Sequence, residues 1–440
     1  MLVLIALQVA SSATGAEPPA EATELIEKWL ADKSAPGISV AAVNREGILW
    51  SAGFGLADVE AERPATAATR YQFASITKVY TALLLAQLAV EAGVDLDAPL
   101  SRYLPELTAR YPEPGAREIT LRDVATHTAG FTRDMRGDKA SGRTHAYTVE
   151  ELLQWQKTAG FTARPGLQYK YSNFGYGVLG AALERITGRP YRDLLRERVL
   201  EPLELTSTGF SELRTHPELA RSYSVKDDEL TPNMDPLFDF DAQAAASELI
   251  STVEDMARFA QAHLGNGPRE VVPPAATGLL FAPHLQTSDT SAICLGWRYS
   301  WSDGLPRWIH TGSVNHFQSI MAIRPDVGIG LVLAANGPGS LGELHVPLLR
   351  LIAEHADTSE QDALVGDYAP ADDDYLVMVR RRPDAVLTLE VKGAVRMVPV
   401  SRHTYRIVEG RNKGEWVRFV EEEGKQVLLW EHRRLVRKDA

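Results

Sequence analysis

The segment 76–92 constrains the fold more than any other, because it has the composition of a helix without a solvent face. It reads Ile-Thr-Lys-Val-Tyr-Thr-Ala-Leu-Leu-Leu-Ala-Gln-Leu-Ala-Val-Glu-Ala, and Gly93 follows as a helix-ending residue. Leucine and alanine fall on nearly every side, which is typical of a helix that is buried all round. Other layers must surround this helix, and 440 residues suffice for a large core plus an accessory module.

Strands are predicted on both sides of a helical middle. The amino-terminal part has a helix and then an antiparallel hairpin, over 22–31, Ile38–Val43 and Ile48–Gly53. The middle has four more helices, over 149–156, 175–186, 190–199 and from Thr252 to His263. Four strands and a closing helix follow, over Leu295–Trp301, Arg307–Gly312, Phe317–Arg324, Gly328–Ala335 and 341–355. The last three strands should form a meander. This order predicts an α+β fold, an antiparallel sheet flanked by helices with an adjoining helical lobe.

The last eighty residues have a different pattern. The polar stretch 354–362 reads as a linker, and alternating segments follow it over 375–380, 385–392, 394–400, 416–421 and 426–430. They predict a small all-β, barrel-like accessory domain over 364–440, after a main domain over 17–357. The basic residues near the end read as a solvated edge: Arg433, Arg434, Arg437 and Lys438.

Composition excludes several classes of function. The net charge of -12 argues against a nucleic-acid partner, because such proteins need a basic surface to neutralise phosphates. Cys294 is the only cysteine, so an intramolecular disulfide and a cysteine-based metal site are excluded, and we interpret it as a small buried hydrophobe. The chain has no His-Glu-x-x-His pair. We therefore predict neither a metal nor a cofactor.

The amino terminus resembles a secretory signal. An apolar run from Met1 is followed by small residues up to Ala16, although no lysine or arginine precedes the run. Residues 1–16 are therefore predicted to be a signal peptide, and the protein to be periplasmic or secreted. No other segment approaches the ~20 apolar residues of a membrane span. Composition leaves the oligomeric state open.

The sequence Phe73-Ala-Ser75-Ile-Thr-Lys78 stands at the head of the buried helix. A spacing of three places Ser75 and Lys78 on one face, one turn apart. A serine hydroxyl needs a neighbouring base to become a nucleophile, and burial can keep a lysine uncharged for that role. The same spacing also occurs by chance, with a capping serine and a solvated lysine. The apolar surroundings favour the catalytic interpretation, because an unpaired buried charge is costly.

A second motif lies downstream of the first. Tyr171-Ser-Asn173 follows Pro165-Gly166, and in an extended loop its first and third side chains would point to one side. Tyr171 could relay a proton, and Asn173 could hydrogen-bond both Lys78 and a substrate carbonyl; the alternative is a core tyrosine in a turn.

The motif His310-Thr311-Gly312-Ser313 lies on a predicted strand. There Gly312 would admit a substrate backbone, and the Ser313 N–H could join that of Ser75 in an oxyanion hole. His310 could instead be purely structural.

With these three motifs in this order, the chain resembles the β-lactamase-related serine hydrolases, the group of class C β-lactamases, D-alanyl-D-alanine carboxypeptidases, D-aminopeptidases and family VIII esterases. The resemblance covers residues of roughly 22–355. It implies the nucleophile Ser75, the base Lys78, the proton relay Tyr171, positioning by Asn173, and substrate binding by His310, Thr311, Gly312 and Ser313. It also implies that His127, in Thr126-His-Thr-Ala-Gly130, is scaffold, and that the terminal β module resembles the additions in D-aminopeptidase-type relatives.

Position 310 departs from the pattern of the penicillin-active members, which usually have lysine there. Histidine is mostly neutral at pH 7 and is a poorer partner for a substrate carboxylate. Asn315 and His316 also stand where small residues are common, so they should line or partly close the acyl pocket. We therefore expect a small-molecule or peptide substrate cleaved at an ester or amide bond, as in an esterase or a D-amino-acid peptidase.

Two other interpretations remain open from sequence. One is a β-lactamase or penicillin-binding D,D-carboxypeptidase. Another is a catalytically inactive binding protein on the same fold, in which the β module would carry recognition. An α/β-hydrolase is disfavoured, because the Gly-x-Ser-x-Gly motif is absent from the chain.

Overall fold

The structure is a computed structural model. It describes residues 10–11, 16–107, 117–134, 148–159, 161–227, 229–233, 241–288, 290–301, 305–369, 376–383, 385–391, 394–401, 404–407, 413, 415–422, 425–430 and 433–438. Most of the predicted signal peptide lies outside these residues. Ala10–Ser11 are described, and they form a short strand, β1, at one edge of the main sheet. The signal peptide and the exported location stay predictions.

An antiparallel sheet forms the centre of the main domain. Its strands are hydrogen-bonded in the order β1-β3-β2-β14-β13-β12-β11-β10-β9, with β4 paired to β3. After β1 their bounds are β2 Gly37–Asn44, β3 Ile48–Asp58, β4 Arg63–Pro64, β9 Leu285–Ser288, β10 Ser291–Ile293, β11 Arg298–Ser300, β12 Arg307–Val314, β13 Phe317–Arg324 and β14 Ile329–Ala335. The first hairpin thus pairs with the last strand of the main domain, β14, which joins the two ends of this domain in one sheet. The predicted hairpin, meander and α+β fold are confirmed.

Helices cover both faces of the sheet. The eleven α-helices of the described residues are α1 Ala20–Lys33, α2 Thr77–Glu91, α3 Leu121–Ala125, α4 Val149–Ala159, α5 Asn173–Thr187, α6 Tyr191–Leu195, α7 Ala244–Ser247, α8 Val253–His263, α9 Pro274–Phe281, α10 Gly342–Leu351 and α11 Ser359–Asp362. One face packs on α1 and α10, where Ile26 and Leu344 share a core with Leu331 of the sheet. The other face packs on α8 and on the helical lobe of α2 to α7 and α9.

The central helix α2 is enclosed as its composition predicts. Every residue from Thr77 to Leu88 is buried, including Lys78. The helix ends at Glu91 with Ala92 as its C-cap, and Gly93 follows with a left-handed φ of 64°. Two short two-stranded sheets brace the lobe: β5 Tyr71–Gln72 with β8 Ile250–Ser251, and β6 Tyr223–Lys226 with β7 Glu229–Pro232.

The carboxyl-terminal part is a closed barrel, which confirms the predicted all-β module. Its strands are β15 Gly366–Ala369, β16 Val377–Arg381, β17 Leu387–Glu390, β18 Ala394–Ser401, β19 Thr404–Ile407, β20 Trp416–Glu422, β21 Lys425–Trp430 and β22 Arg433–Lys438. It packs on the main domain: Arg324 donates to the Ala385 carbonyl at 2.8 Å, and the Tyr299 hydroxyl donates to the Pro399 carbonyl.

Two sequence predictions were wrong in detail. The strand predicted over Leu295–Trp301 is only Arg298–Ser300, because Cys294–Trp297 form a turn in which Gly296 has a φ of 73°. The basic tail keeps Arg433, Arg434 and Lys438 exposed, as a solvated edge should, and it forms barrel strand β22, whose Leu435 is fully buried. The predicted linker contains α11, and its Gln361 is 2% exposed. The sequence does not predict β22, because its adjacent charged pairs Arg433-Arg434 and Arg437-Lys438 break the period-two alternation of a strand.

Candidate active site

Ser75 lies on a strained turn at the start of α2. The turn is a short 3-10 helix, Ala74–Ile76, and Ala74 has a φ of 48°, a conformation that costs a non-glycine residue free energy. Thr77 holds the turn, because its hydroxyl donates to the Ala74 carbonyl at 2.7 Å. Ser75 is half-buried while its neighbours are buried, so its hydroxyl is the group that the turn presents to solvent.

Lys78 is fully buried, and its amine contacts three oxygen atoms. Its Nζ lies 3.0 Å from Ser75 Oγ, 2.8 Å from Asn173 Oδ1 and 2.7 Å from the Ala246 carbonyl oxygen. Burial holds the pKa of Lys78 well below its usual value; Asp134 raises this pKa and Arg133 lowers it further. The lowered pKa favours the neutral amine at neutral pH.

Tyr171 contacts the same serine. Its hydroxyl donates to Ser75 Oγ at 2.8 Å, and Lys78 Nζ lies 4.9 Å from the centre of its ring. Burial raises the pKa of Tyr171, so the phenol keeps its proton over the physiological range. It is a hydrogen-bond donor here rather than a base.

Asn173 is the first residue of α5, not part of an extended loop as predicted. Ser172 is the N-cap, and its Oγ accepts from the Gly175 N–H at 2.7 Å. The Asn173 Nδ2 donates to Asp134 Oδ1 at 2.7 Å, which leaves its Oδ1 for Lys78. Helix capping therefore brings Tyr171 and Asn173 to one place, whereas the prediction had relied on strand geometry.

His127 supports this loop, in agreement with its interpretation as scaffold. It has a left-handed φ of 58°, its Nδ1 accepts from the Ser172 N–H at 3.1 Å, and its carbonyl accepts from the Lys170 N–H at 2.8 Å. Its ring lies 4.4 Å from that of Tyr171, centre to centre. Burial lowers the pKa of His127 well below its usual value, so the ring is neutral.

Strand β12 presents the third motif. Gly312 packs directly on the serine turn, since a Cβ there would overlap the Phe73 carbonyl oxygen and Ser319 Oγ. His310 is half-buried, and its Nδ1 lies 2.9 Å from the Thr311 carbonyl oxygen. A carbonyl can only accept, so Nδ1 carries the proton and Nε2 has a free lone pair. Burial lowers the pKa of His310 to about 3.

Beyond Ile309 the strand has an open edge. Within the described residues, β11 pairs with β12 only from Arg307 to Ile309, and Thr311 and Ser313 are exposed. Main-chain groups at an unpaired edge can bind an extended ligand as a strand would. Asn315 and His316, expected to line the pocket, form the tight turn after β12 with left-handed φ values of 46° and 65°. They do not line the cleft described next.

A cleft of about 540 Å³ joins these parts. We call Ser75, Lys78, Tyr171 and Asn173 its helix wall, and residues 310–313 its strand wall. Ser75, Tyr171, His310, Thr311 and Ser313 line the cleft, whereas Lys78, Asn173 and Gly312 lie behind its surface.

Sequence reasoning missed several polar groups of the site. Arg133, Tyr169 and Arg298 also line the cleft; Arg298 lies 5.6 Å from the Tyr169 ring centre, and Asp134 and the Ala246 carbonyl act behind the cleft surface. None of them has a local motif, so no signal in the sequence could have identified them. Cys294 is buried, as interpreted, and burial raises its pKa to about 12.

Neither a metal centre nor a membrane span is present in the part of the chain that the structure describes. Over those residues we find no group of three or more His, Cys, Asp or Glu side chains placed to hold a metal ion. We also find no helix that combines the length and the hydropathy of a membrane span.

With this geometry in place, comparison with known proteins decides the family. A model of the beta-lactamase family matches residues 22–354, which include both walls of the cleft. The chain belongs to the beta-lactamase family. Structural neighbours of this family member include amidohydrolase, carboxypeptidase and esterase types, and most are serine hydrolases.

The similarity to individual beta-lactamase family proteins is distant. Protein flp of Staphylococcus aureus is 26% identical over 357 residues, covering 76% of this chain and 65% of that protein, so the chain spans less than two thirds of the relative. The octameric penicillin-binding protein homologue from Pyrococcus abyssi has a TM-score of 0.66 at 22% identity, covering 95% of this chain and 99% of that one. A D-stereospecific amidohydrolase from Streptomyces sp. has a TM-score of 0.64 at 25% identity, covering 74% and 97%.

Proposed function

We propose that the protein is a serine hydrolase that cleaves an ester or amide bond through an acyl-enzyme on Ser75. The proposal rests mainly on one observation, the hydrogen bonding of Lys78. Two of its three partners, Asn173 Oδ1 and the Ala246 carbonyl, are oxygens that can only accept. A neutral amine has two N–H groups and one lone pair, so Lys78, once it has lost a proton, can donate to these two oxygens and direct its lone pair at the Ser75 hydroxyl.

The chemical steps follow from that arrangement. Ser75 Oγ attacks the substrate carbonyl carbon while its proton passes to Lys78 Nζ. The leaving group departs with a proton supplied through the Tyr171 hydroxyl, which Lys78 replenishes, and water then releases the acyl group by the reverse route. The raised pKa of Tyr171 supports this donor role, because a phenol that stays protonated can give a proton to a leaving group.

The strand wall supplies the other half of the site. The main-chain N–H groups of Ser75 and Ser313 would hold the negative charge that develops on the carbonyl oxygen. The backbone contact of Gly312 with Phe73 supports this role, since it fixes the strand against the serine turn. Thr311, which is exposed at the same edge, would bind the substrate beside the scissile bond.

The neutral state of the His310 ring supports one class of substrate. The Nε2 atom of this neutral ring carries a lone pair. It therefore accepts a hydrogen bond and does not attract a carboxylate. This supports neutral esters and amides, of the kind cleaved by an esterase or a D-amino-acid peptidase, over β-lactams. The structural similarity to the Streptomyces protein, a D-stereospecific amidohydrolase, is in line with an amide substrate.

A second candidate is a substrate that carries a carboxylate, as β-lactams and D,D-peptides do. Arg298 favours it, because this permanent cation lines the cleft and stacks on the Tyr169 ring. Arg298→Ala should then lower the rate on a cephalosporin and leave the rate on a neutral aryl ester unchanged.

Covalent labelling tests the proposal. A fluorophosphonate probe should label the protein, and Ser75→Ala should abolish the label, because the probe reports an activated serine. The matched control is Ser101→Ala, since Ser101 is an exposed serine on the same domain. Labelling that persists in Ser75→Ala would contradict the assignment of the nucleophile, and an unlabelled wild-type protein would favour an inactive binding protein.

A further inference from the structure

Asp134 touches the active-site amide from outside the helix wall. Its Oδ1 accepts from Asn173 Nδ2 at 2.7 Å, while the Oδ1 of the same amide accepts from Lys78 Nζ at 2.8 Å. One amide therefore connects a carboxylate to the buried amine. The Asp134 side chain is 47% exposed, and its Oδ2 lies 3.4 Å from Arg133 Nε, so water and the guanidinium stabilise its charge, whereas Lys78 is fully buried.

The main chain next to Asp134 is fixed to the same helix. The Arg133 carbonyl accepts from the N–H groups of Asn173 at 2.8 Å and of Phe174 at 3.2 Å. The N-cap Ser172 also donates through its Oγ to the Thr132 carbonyl at 2.6 Å. These bonds satisfy amides at the start of α5 that have no partner within the helix. They hold Asp134 at the amide by backbone contacts that do not depend on its side chain.

We propose that Asp134 is a positioning residue, which keeps the amide oxygen of Asn173 turned toward Lys78 and places a negative charge beside the base. The inference rests on the proposed function, because it concerns the same lysine. If the amide turned over, its oxygen would face the carboxylate, two acceptors in contact, and its NH₂ would face the amine. That NH₂ could then donate to the lone pair that must take the Ser75 proton.

The effect of Asp134 on the pKa of Lys78 can be measured, because the neighbouring titratable groups are neutral at mid-range pH. Among the described residues, two histidines and two tyrosines also lie near the amine: His127, His310, Tyr171 and Tyr176. The histidine pKa values are lowered and the tyrosine pKa values are raised, so all four are neutral at mid-range pH. Of the described residues, Asp134 and Arg133 are the charged side chains that act on Lys78, with opposite signs.

Three variants separate the effect of Asp134 on the orientation of the Asn173 amide from the effect of its charge. Asp134→Asn keeps an oxygen that can accept from Asn173 but removes the charge. Asp134→Ala removes both, and Arg133→Gln removes the opposing charge. We measure kcat/KM for a neutral aryl ester from about pH 5 to about pH 9, where the rate should rise as Lys78 loses its proton. Melting temperatures of all variants check that each one folds.

Asp134→Asn and Arg133→Gln should shift the pKa of Lys78 in opposite directions. Asp134→Asn lowers the pKa of Lys78, so the acid limb moves to lower pH by up to about one unit, and the plateau is kept. Arg133→Gln moves the limb to higher pH. Asp134→Ala lowers the plateau by about tenfold as well, because the amide is free to turn.

The outcomes that would overturn the inference differ from those that would overturn the proposed function. A folded Asp134→Ala with the wild-type plateau overturns the positioning role. A wild-type profile without an acid limb, or a limb that Asp134→Asn leaves in place, overturns the charge role. If the wild-type protein has no hydrolysis that depends on Ser75, it is the proposed function that fails.

Discussion

The helix wall and the strand wall of the cleft are built in opposite ways. In the helix wall, the polar atoms of Lys78 and Tyr171 are engaged inside the protein. In the strand wall, Thr311 and Ser313 are exposed, and β11 does not extend alongside them within the described residues. A closed network fixes the protonation states, while an open edge leaves main-chain groups for a ligand. Under the proposed function, the helix wall would set the rate for any acyl substrate and the strand wall would select the substrate.

Lys78→Met tests the helix wall and should have the largest effect on the rate of hydrolysis. It removes the amine and keeps the volume, and hydrolysis of every substrate should fall by about 10³-fold, within the range of a general base. Lys28→Met is the control, because Lys28 is an exposed lysine paired with Asp32 on α1. Steady-state kinetics on an ester and an amide would measure both. A loss below tenfold, or a loss on only one substrate, would contradict the comparison.

Gly312→Ala tests the contact between the walls. The new Cβ would meet the Phe73 carbonyl, which is main chain and cannot turn aside, so the strand or the serine turn must move. We expect kcat/KM to fall by about 10²-fold for all substrates, as for the loss of an oxyanion donor. Gly47→Ala is the matched control, since nothing lies within 4 Å of a Cβ there. Equal activities of the two variants would contradict the role of Gly312.

His310→Lys is the sharpest test of the strand wall and should have the smallest effect. A lysine there would supply the cation that neutral His310 lacks, so the rate on a cephalosporin should rise relative to that on an aryl ester by about tenfold, or about 1.4 kcal/mol. The measurement is the ratio of the two kcat/KM values in variant and wild type. An unchanged ratio would mean that position 310 does not select for charge. A wild-type protein that prefers the cephalosporin would contradict the substrate class.

The local sequence predicts those elements of the fold that depend on residues close together in the chain. The composition of α2 predicted a helix buried on all sides, and the spacing of Ser75 and Lys78 placed the two side chains one turn apart. The hairpin of β2 and β3 and the meander of β12 to β14 were also predictable, because strand alternation and short turns are local signals.

The remaining features depend on contacts between distant parts of the chain. Asp134 and the Ala246 carbonyl reach Asn173 and Lys78 only through tertiary folding, and neither has a motif. Strands β9 and β10, of four and three residues, were missed because such short runs carry too little periodicity. Asn173 was placed in an extended loop, since the capping by Ser172 was not recognised.

The pH dependence of Ser75 labelling tests the neutral lysine most directly. We would measure the rate of reaction with a fluorophosphonate in the wild type and in Lys78→Met. We predict that the wild-type rate rises with pH and reaches its plateau well below about pH 10.4, the pKa of an ordinary lysine, because the base must be unprotonated. We also predict that Lys78→Met loses this rise. A midpoint near about 10.4, or the same profile in both proteins, would contradict a neutral lysine as the base.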